Sequence, residues 1–341
     1  MMNRFFIFPI AILLLCAQFS CHKEKEGNGL YSIYQLDKYN PNKPVIELDD
    51  HWEKQESLMS SFPKGIAVYR SKKRVNNKNT NMYLLAFNPR LNIDLKPIVS
   101  TSAKTPSTFF NEENGEVYAC VNGGFFSGTT SLSLVMYNSA VSSINVKSLT
   151  RLYNGANTTY YPTRAAFGLD KDYKPSVSWV YSVGTGNGEL YAYPQPSPNA
   201  EGQAPQIAPS ASFPEGGTLW TQTIAIGGSP MLIRDSIIRI TDVEEMITTS
   251  ATPTSSRPRT AIGHLKNGNV VLFVAEGGST DIPGLTLQEL AQQMLSIGCV
   301  GAVNLDGGGS SSLVVDGETT IKPSDAAGER KVISALIVKK R

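Results

Sequence analysis

Two acidic residues each stand just past an apolar run: Glu276 follows Val270 to Ala275, and Asp306 follows Val300 to Leu305. Between the runs lies a helix signal. Thr286 and Glu289 make a capping box, Leu287, Leu290, Ala291, Met294 and Leu295 keep helical spacing, and Gly298 supplies the stop. Strand, helix and strand in so short a span form a crossover unit, with both strands neighbouring in one sheet. Both carboxylates then project from the same strand-end edge. Paired carboxylates suit glycosidic cleavage: one group serves the leaving oxygen, the other helps water or the oxocarbenium-like centre. The competing role for each is a turn-capping carboxylate.

Four glycine-bearing motifs also close apolar runs: Val121-Asn122-Gly123-Gly124-Phe125-Phe126, Ala225-Ile226-Gly227-Gly228-Ser229-Pro230, Arg257-Pro258-Arg259-Thr260-Ala261-Ile262-Gly263, and Asn304-Leu305-Asp306-Gly307-Gly308-Gly309-Ser310-Ser311-Ser312. Glycine lets backbone come close to a ligand, where exposed amides hold an anionic oxygen. Gly123, Gly124, Gly307 and Gly308 are the amide candidates, with Asn122, Thr260, Asn304, Ser310 and Ser311 as hydrogen-bonding partners. Arg259 has the fork that grips phosphate oxygens in pairs, or else serves as a structural ion-pair residue. Arg330, before the last strand, is a second phosphate candidate. The serine triplet lacks the Gly-x-Ser-x-Gly elbow, and His264 is the one histidine among these motifs, which argues against a nucleophilic serine.

Together the four motifs resemble the phosphodiester glycosidase family over about Tyr118 to Val338. The resemblance implies hydrolysis of a sugar-1-phosphodiester to free sugar and phosphomonoester, with Glu276, Asp306 and Arg259 carrying the reaction on a glycan or glycoconjugate. The family often carries an acidic residue, Gly and then Arg after the strand that ends here at Ala275; this chain reads Glu276-Gly277-Gly278. A different-class alternative is a non-catalytic carbohydrate- or phosphate-binding lipoprotein. No cofactor is indicated; a divalent cation would suit the chemistry, but no calcium-type loop of oxygen ligands is visible.

The elements that must position these residues are mostly strands. Runs at Gly65 to Tyr69, Met82 to Phe87, Leu91 to Val99, Glu116 to Val121, Leu132 to Tyr137, Arg164 to Leu169 and Val177 to Tyr181 read as strands, and Thr105 to Asn114 as a short helix. The chain closes with a hairpin about Asp316-Gly317 and a last strand, Val332 to Val338. Gly184 to Gly217, with its prolines and small residues, predicts a long loop without regular structure, either a lid, a substrate arm or a plain insertion. The fold class expected is α+β: residues 61–341 as one domain with a mixed, mostly antiparallel sheet, few helices and the C-terminal crossover.

With 41% hydrophobic and 18% charged residues, the composition excludes a disordered chain or a coiled coil. A net charge of +2 without a basic stripe excludes nucleic acid as the principal partner. Met1 to Arg4 followed by the apolar Phe5 to Ala17 has the layout of a secretory signal. Ser20-Cys21 resembles the lipidation site of a bacterial lipoprotein, so the expectation is a signal in residues 1–20, lipid on Cys21 and a tether over residues 21–60. That places the protein at the bacterial envelope, anchored to the outer membrane or cell surface. Cys120 and Cys299 sit in apolar stretches as buried thiols, and three scattered histidines give a zinc site no support.

Overall fold

The computed structural model describes residues 43–247 and 253–341. Cys21, the export signal and the start of the expected tether lie outside the described residues. The rest of that tether is folded: Glu53–Lys54 pairs with Tyr69 and Arg70, while Ile46, Trp52 and Met59 are buried in the core. Apolar side chains at these positions explain why the segment packs. The folded unit therefore includes residues before 61.

Three antiparallel sheets carry the fold. The first has eight strands, its centre running Met82–Phe87, Val270–Ala275, Arg259–Leu265, Cys299–Asn304 and Met231–Arg234. A seven-stranded sheet is centred on Pro175–Val183, Arg164–Leu169 and Ile224–Gly227, and a five-stranded sheet on Leu313–Val315, Val117–Asn122 and Val332–Lys340. Only two α-helices occur among the described residues, Pro106–Glu112 and Leu287–Ser296. The central strands of the first sheet are buried on both faces. Helix Leu287–Ser296 packs on one side and strands of the seven-stranded sheet on the other. This double burial is why Val270 to Ala275 reads as an unbroken apolar run instead of alternating.

The C-terminal elements form largely where their patterns place them. Thr286 caps its helix, accepting from the Glu289 amide at 3.1 Å, while Glu289 Oε2 accepts from the Thr286 amide at 2.9 Å. Asp316 (φ 50°) and Gly317 (φ 83°) turn the hairpin that pairs Leu313–Val315 with Glu318–Thr319.

Two expectations need correction. Val270–Ala275 and Cys299–Asn304 are not neighbours: Arg259–Leu265 lies between them, Arg259 opposite Ala275 and Ala261 opposite Asn304. The reason is local. Arg259–Leu265 and Val270–Ala275 form a tight hairpin through Gly268 (φ 84°), so the adjacent slot is filled before the helix crosses over. The two outer strands still run parallel to each other, and Glu276 and Asp306 do leave the same edge. Second, Gly184 to Gly217 is not wholly irregular. Glu189–Tyr193 is a strand paired with Pro175–Val183 in the seven-stranded sheet, its Leu190-Tyr191-Ala192-Tyr193 run being ordinary β sequence. Residues 194–217 contain no strand, but the Ser197 amide donates to Thr163 Oγ1 (3.0 Å) and Tyr160 Oη to the Gln203 carbonyl (2.6 Å).

Candidate active site

Asn122 joins the strand ends. Fully buried at the end of Val117–Asn122, it donates from Nδ2 to the Asp306 carbonyl (2.7 Å) and accepts at Oδ1 from Thr260 Oγ1 (2.9 Å) and the Ser312 amide (3.2 Å). Ser311 Oγ lies 3.1 Å from Thr260 Oγ1. The Asp306 amide donates to the Gly123 carbonyl at 3.2 Å. Asn122, Gly123, Thr260, Asp306 and Ser311 thus form one bonded patch drawn from all three of the motifs that hold them. Buried polar groups bonded in this way fix one arrangement, because any break strands a partner without water.

The glycines act mainly through close approach. A Cβ on Gly124 would come within 2.4 Å of the Gly227 carbonyl oxygen, and one on Gly228 within 2.2 Å of the Asn304 carbonyl oxygen. No side chain fits there, so three motifs meet backbone to backbone. Their amides are largely occupied: Gly123 donates to the Ser334 carbonyl (2.8 Å), Gly307 to Asp306 Oδ1 (2.9 Å) and Gly308 to the Pro258 carbonyl (2.9 Å). The expected row of anion-holding amides is therefore not presented by these three residues.

Asp306 is the electrostatically unusual carboxylate of the group. Burial pushes its pKa up to about 6, against the opposing pull of the Ser310 hydroxyl, the Gly307 amide and the Arg330 charge. Such a group exchanges its proton near neutral pH, as a catalytic acid or base must.

The other charged candidates are tied to the scaffold to different degrees. Glu276 Oε2 accepts from Asn81 Nδ2 (2.7 Å) and the Lys322 amide (3.1 Å), and so anchors the loop that follows the last hairpin. Arg259 is 2% exposed; its Nε donates to the Leu285 carbonyl and its Nη2 to the Ser255 carbonyl, both at 2.9 Å. Burial lowers its pKa to about 10, with the Arg257 charge adding to the effect. Both atoms of that edge of the fork face backbone carbonyls. Arg330 makes a bidentate pair with Asp325 (2.8 and 2.9 Å), and a Cβ on Gly309 would meet its Nη2 at 2.1 Å. That pair lies across Gly309, beside the Asp306 turn.

A second buried constellation adjoins the first and went unread in the sequence. Asn304 Nδ2 donates to the Ser229 carbonyl (2.6 Å), and Ser229 Oγ donates to Glu245 while lying 3.4 Å from Arg164 Nη1. Glu245 is completely buried and also accepts from the Ala165 amide (2.8 Å), the Met231 amide (2.8 Å), Trp179 Nε1 (3.1 Å) and Thr241 Oγ1 (2.6 Å). Burial raises its pKa, and the bonds from Ser229, Thr241, Met231 and Ala165 oppose the rise. A signal existed: Arg164-Ala165-Ala166-Phe167-Gly168 repeats the Arg-x-Ala-x-Gly pattern of Arg259-Thr260-Ala261-Ile262-Gly263. Glu245 had none, standing in a turn with no neighbouring motif. Cys120 and Cys299 are buried, unpaired thiols. Among the described residues no cluster of three His, Cys, Asp or Glu side chains is placed to hold a metal ion.

Known proteins share this arrangement of strands. The zebrafish N-acetylglucosamine-1-phosphodiester alpha-N-acetylglucosaminidase catalytic domain, auto-inhibited by its pro-peptide, superposes with a TM-score of 0.56 at 18% identity, covering 85% of this chain and 89% of that one. A hypothetical protein from Synechocystis gives 0.55 at 19% identity, over 82% of this chain and 63% of the other. At these identities the likeness is one of fold. In sequence, the human N-acetylglucosamine-1-phosphodiester alpha-N-acetylglucosaminidase is 48% identical over 67 residues, a stretch covering 20% of this chain and 13% of the human protein. The SPbeta prophage-derived uncharacterized protein YomE of Bacillus subtilis is 36% identical over 107 residues, 31% of this chain and 16% of its own length. The phosphodiester glycosidase family profile matches residues 115–339, most of the described domain. The chain belongs to the phosphodiester glycosidase family.

Proposed function

We propose that the domain hydrolyses a sugar-1-phosphodiester to free sugar and a phosphomonoester, as an exported lipoprotein. The observation that carries this reading is Asp306. Its carboxylate stands at a strand-end edge, with a pKa near 6, on a turn held by Asn122 and Gly123. The phosphomonoester is a good leaving group once its charge is neutralised, so the acid's work is light and the base's work decisive. Ionised Asp306 takes the proton of the attacking water as the anomeric carbon–oxygen bond to phosphate breaks. Glu276 holds the Lys322 loop in place. The related human enzyme, by its name, acts on an N-acetylglucosamine phosphodiester, which makes that sugar the first to try.

The test is a panel of sugar-1-phosphodiesters with varied sugar and aglycone, assayed for sugar release by the purified domain. Release from at least one diester, accompanied by a phosphomonoester in equal amount, is the expected result. Binding without release across the panel would make the protein a carbohydrate- or phosphate-binding module instead.

Lipid on Cys21 would place this activity at the envelope, the domain facing away from the cytoplasm, supported by the Ser20-Cys21 site behind an apolar signal. Fatty-acid labelling should mark the wild type and not Cys21→Ala. Equal label in both would end the lipoprotein reading.

A further inference from the structure

We propose that Arg164 and Arg151 together form the subsite that grips the substrate's phosphate, Arg164 from the sheet and Arg151 from the neighbouring hairpin; this rests on the phosphodiester reading above. Arg164 opens the strand Arg164–Leu169 and is 7% exposed. A guanidinium so deeply buried calls for an anion, since taking the charge out of water without one is strongly unfavourable. Among the described residues no carboxylate forms an ion pair with it. Its Nη1 reaches only Ser229 Oγ at 3.4 Å, and its Nε is buried with no partner. Glu245 lies behind that serine, but its oxygens already receive five donors, so it orients Ser229 and leaves the arginine's other edge unmatched.

Arg151 adds a second unmatched donor. It lies on the hairpin Leu149–Tyr153 and Ala156–Tyr160, which pairs only with itself. Its Nη1 donates back to the Thr150 carbonyl (2.9 Å), and its Nε, like that of Arg164, is buried without a partner. The base of the hairpin, just before Arg164 in the chain, is tied down by Tyr160 Oη on the Gln203 carbonyl and by Asn199 Nδ2 on the Tyr161 carbonyl at 3.2 Å. Burial lowers the Arg164 pKa to about 10; the Glu245 charge opposes that shift, and the smaller effect of the Arg151 charge adds to it. Two guanidinium groups with unused donors, one on the hairpin and one on the strand that follows it in the chain, suit a multiply oxygenated anion held between them. Phosphate matches the planar forks of both. On the far side of Ser229, Asn304 is 3% exposed and its Oδ1 has no donor, an acceptor for a sugar hydroxyl.

The decisive comparison uses the mature wild type, Arg151→Gln and Arg164→Lys, with inorganic phosphate as the probe. Millimolar phosphate should raise the wild-type Tm and inhibit diester hydrolysis competitively. Arg151→Gln should weaken that inhibition about tenfold and raise KM by a similar factor, with kcat within about threefold, the scale of one charged hydrogen-bonding partner. Arg164→Lys keeps the charge without the fork and should lower kcat/KM by about tenfold or more. Because Arg151 is on a self-paired hairpin, its variant reports on the site even if Arg164→Lys melts early. Phosphate that protects and inhibits both variants as it does the wild type would overturn the proposal, as would a wild type indifferent to phosphate. If no diester is cleaved but phosphate still distinguishes wild type from Arg151→Gln, the hydrolase reading fails and the anion subsite stands.

Discussion

Asp306→Asn should lower turnover by roughly 10²-fold or more while the chain stays folded, the usual scale for losing a positioned base. The pH dependence gives a sharper test. With a pKa near 6, wild-type Asp306 is ionised at pH 8 and progressively protonated below 6, so kcat should fall about tenfold per pH unit on the acid side. The asparagine variant should lose that limb. Stability should move the other way. A carboxyl whose folded-state pKa is raised favours the folded state only while protonated, and that contribution disappears as pH rises through the folded value. At pH 8 the wild type therefore carries a buried, ionised carboxylate that the amide variant lacks. Asp306→Asn should melt higher relative to wild type at pH 8 than at pH 4.5. Glu276→Gln separates the two acids: as a loop anchor it should lose far less turnover, and its loss should not depend on pH in this way. A near-normal kcat in Asp306→Asn, with the acid limb retained, would show that another group is the base.

Glu245→Ala is expected to be the most destabilising single change in the site. It leaves the Ala165 and Met231 amides, Trp179 Nε1, Thr241 Oγ1 and Ser229 Oγ without their acceptor, all in a region closed to water. Removing one partner from a buried charged network costs about 3–5 kcal/mol, which for a chain of this size is a fall in Tm of roughly 5–8 °C. Glu245→Gln keeps the volume and one acceptor oxygen, but turns an NH2 group towards donors, so it should fall between alanine and wild type. The thermal melt is the measurement, with kinetics at low temperature beside it. Since Ser229 and Arg164 lose their orientation when Glu245 goes, KM should rise even where the variant is still folded. A Glu245→Ala melt within a degree or two of wild type would mean that the carboxylate contributes little and that the donors find water.

What was legible in the sequence is what short-range chemistry dictates. Unbroken apolar runs such as Met82 to Phe87 and Val270 to Ala275 mark strands buried on both faces, because only such strands gain from hydrophobic residues at every position. The capping box at Thr286 and the Asp316-Gly317 turn are equally local, each set by a few adjacent residues. So is the placement of Glu276 and Asp306 at one edge, since two strands joined by a crossover helix must run the same way. Pairing at long range was not legible. The hairpin of Arg259–Leu265 with Val270–Ala275 is local, but that Cys299–Asn304 then pairs with the far edge of Arg259–Leu265 depends on which edge is open, and no residue in either strand records it. The standing of the charges was decided there too. Arg259 and Arg164 sit in near-identical Arg-x-Ala-x-Gly runs, yet one guanidinium ends against the Leu285 and Ser255 carbonyls and the other beside Ser229 with an unpaired Nε. An arginine's role depends on what stands opposite its planar donors once the chain has closed. That is decided by how the chain packs, with Leu285 standing 26 residues from Arg259 and Ser229 65 residues from Arg164, and the two near-identical runs carry no trace of it.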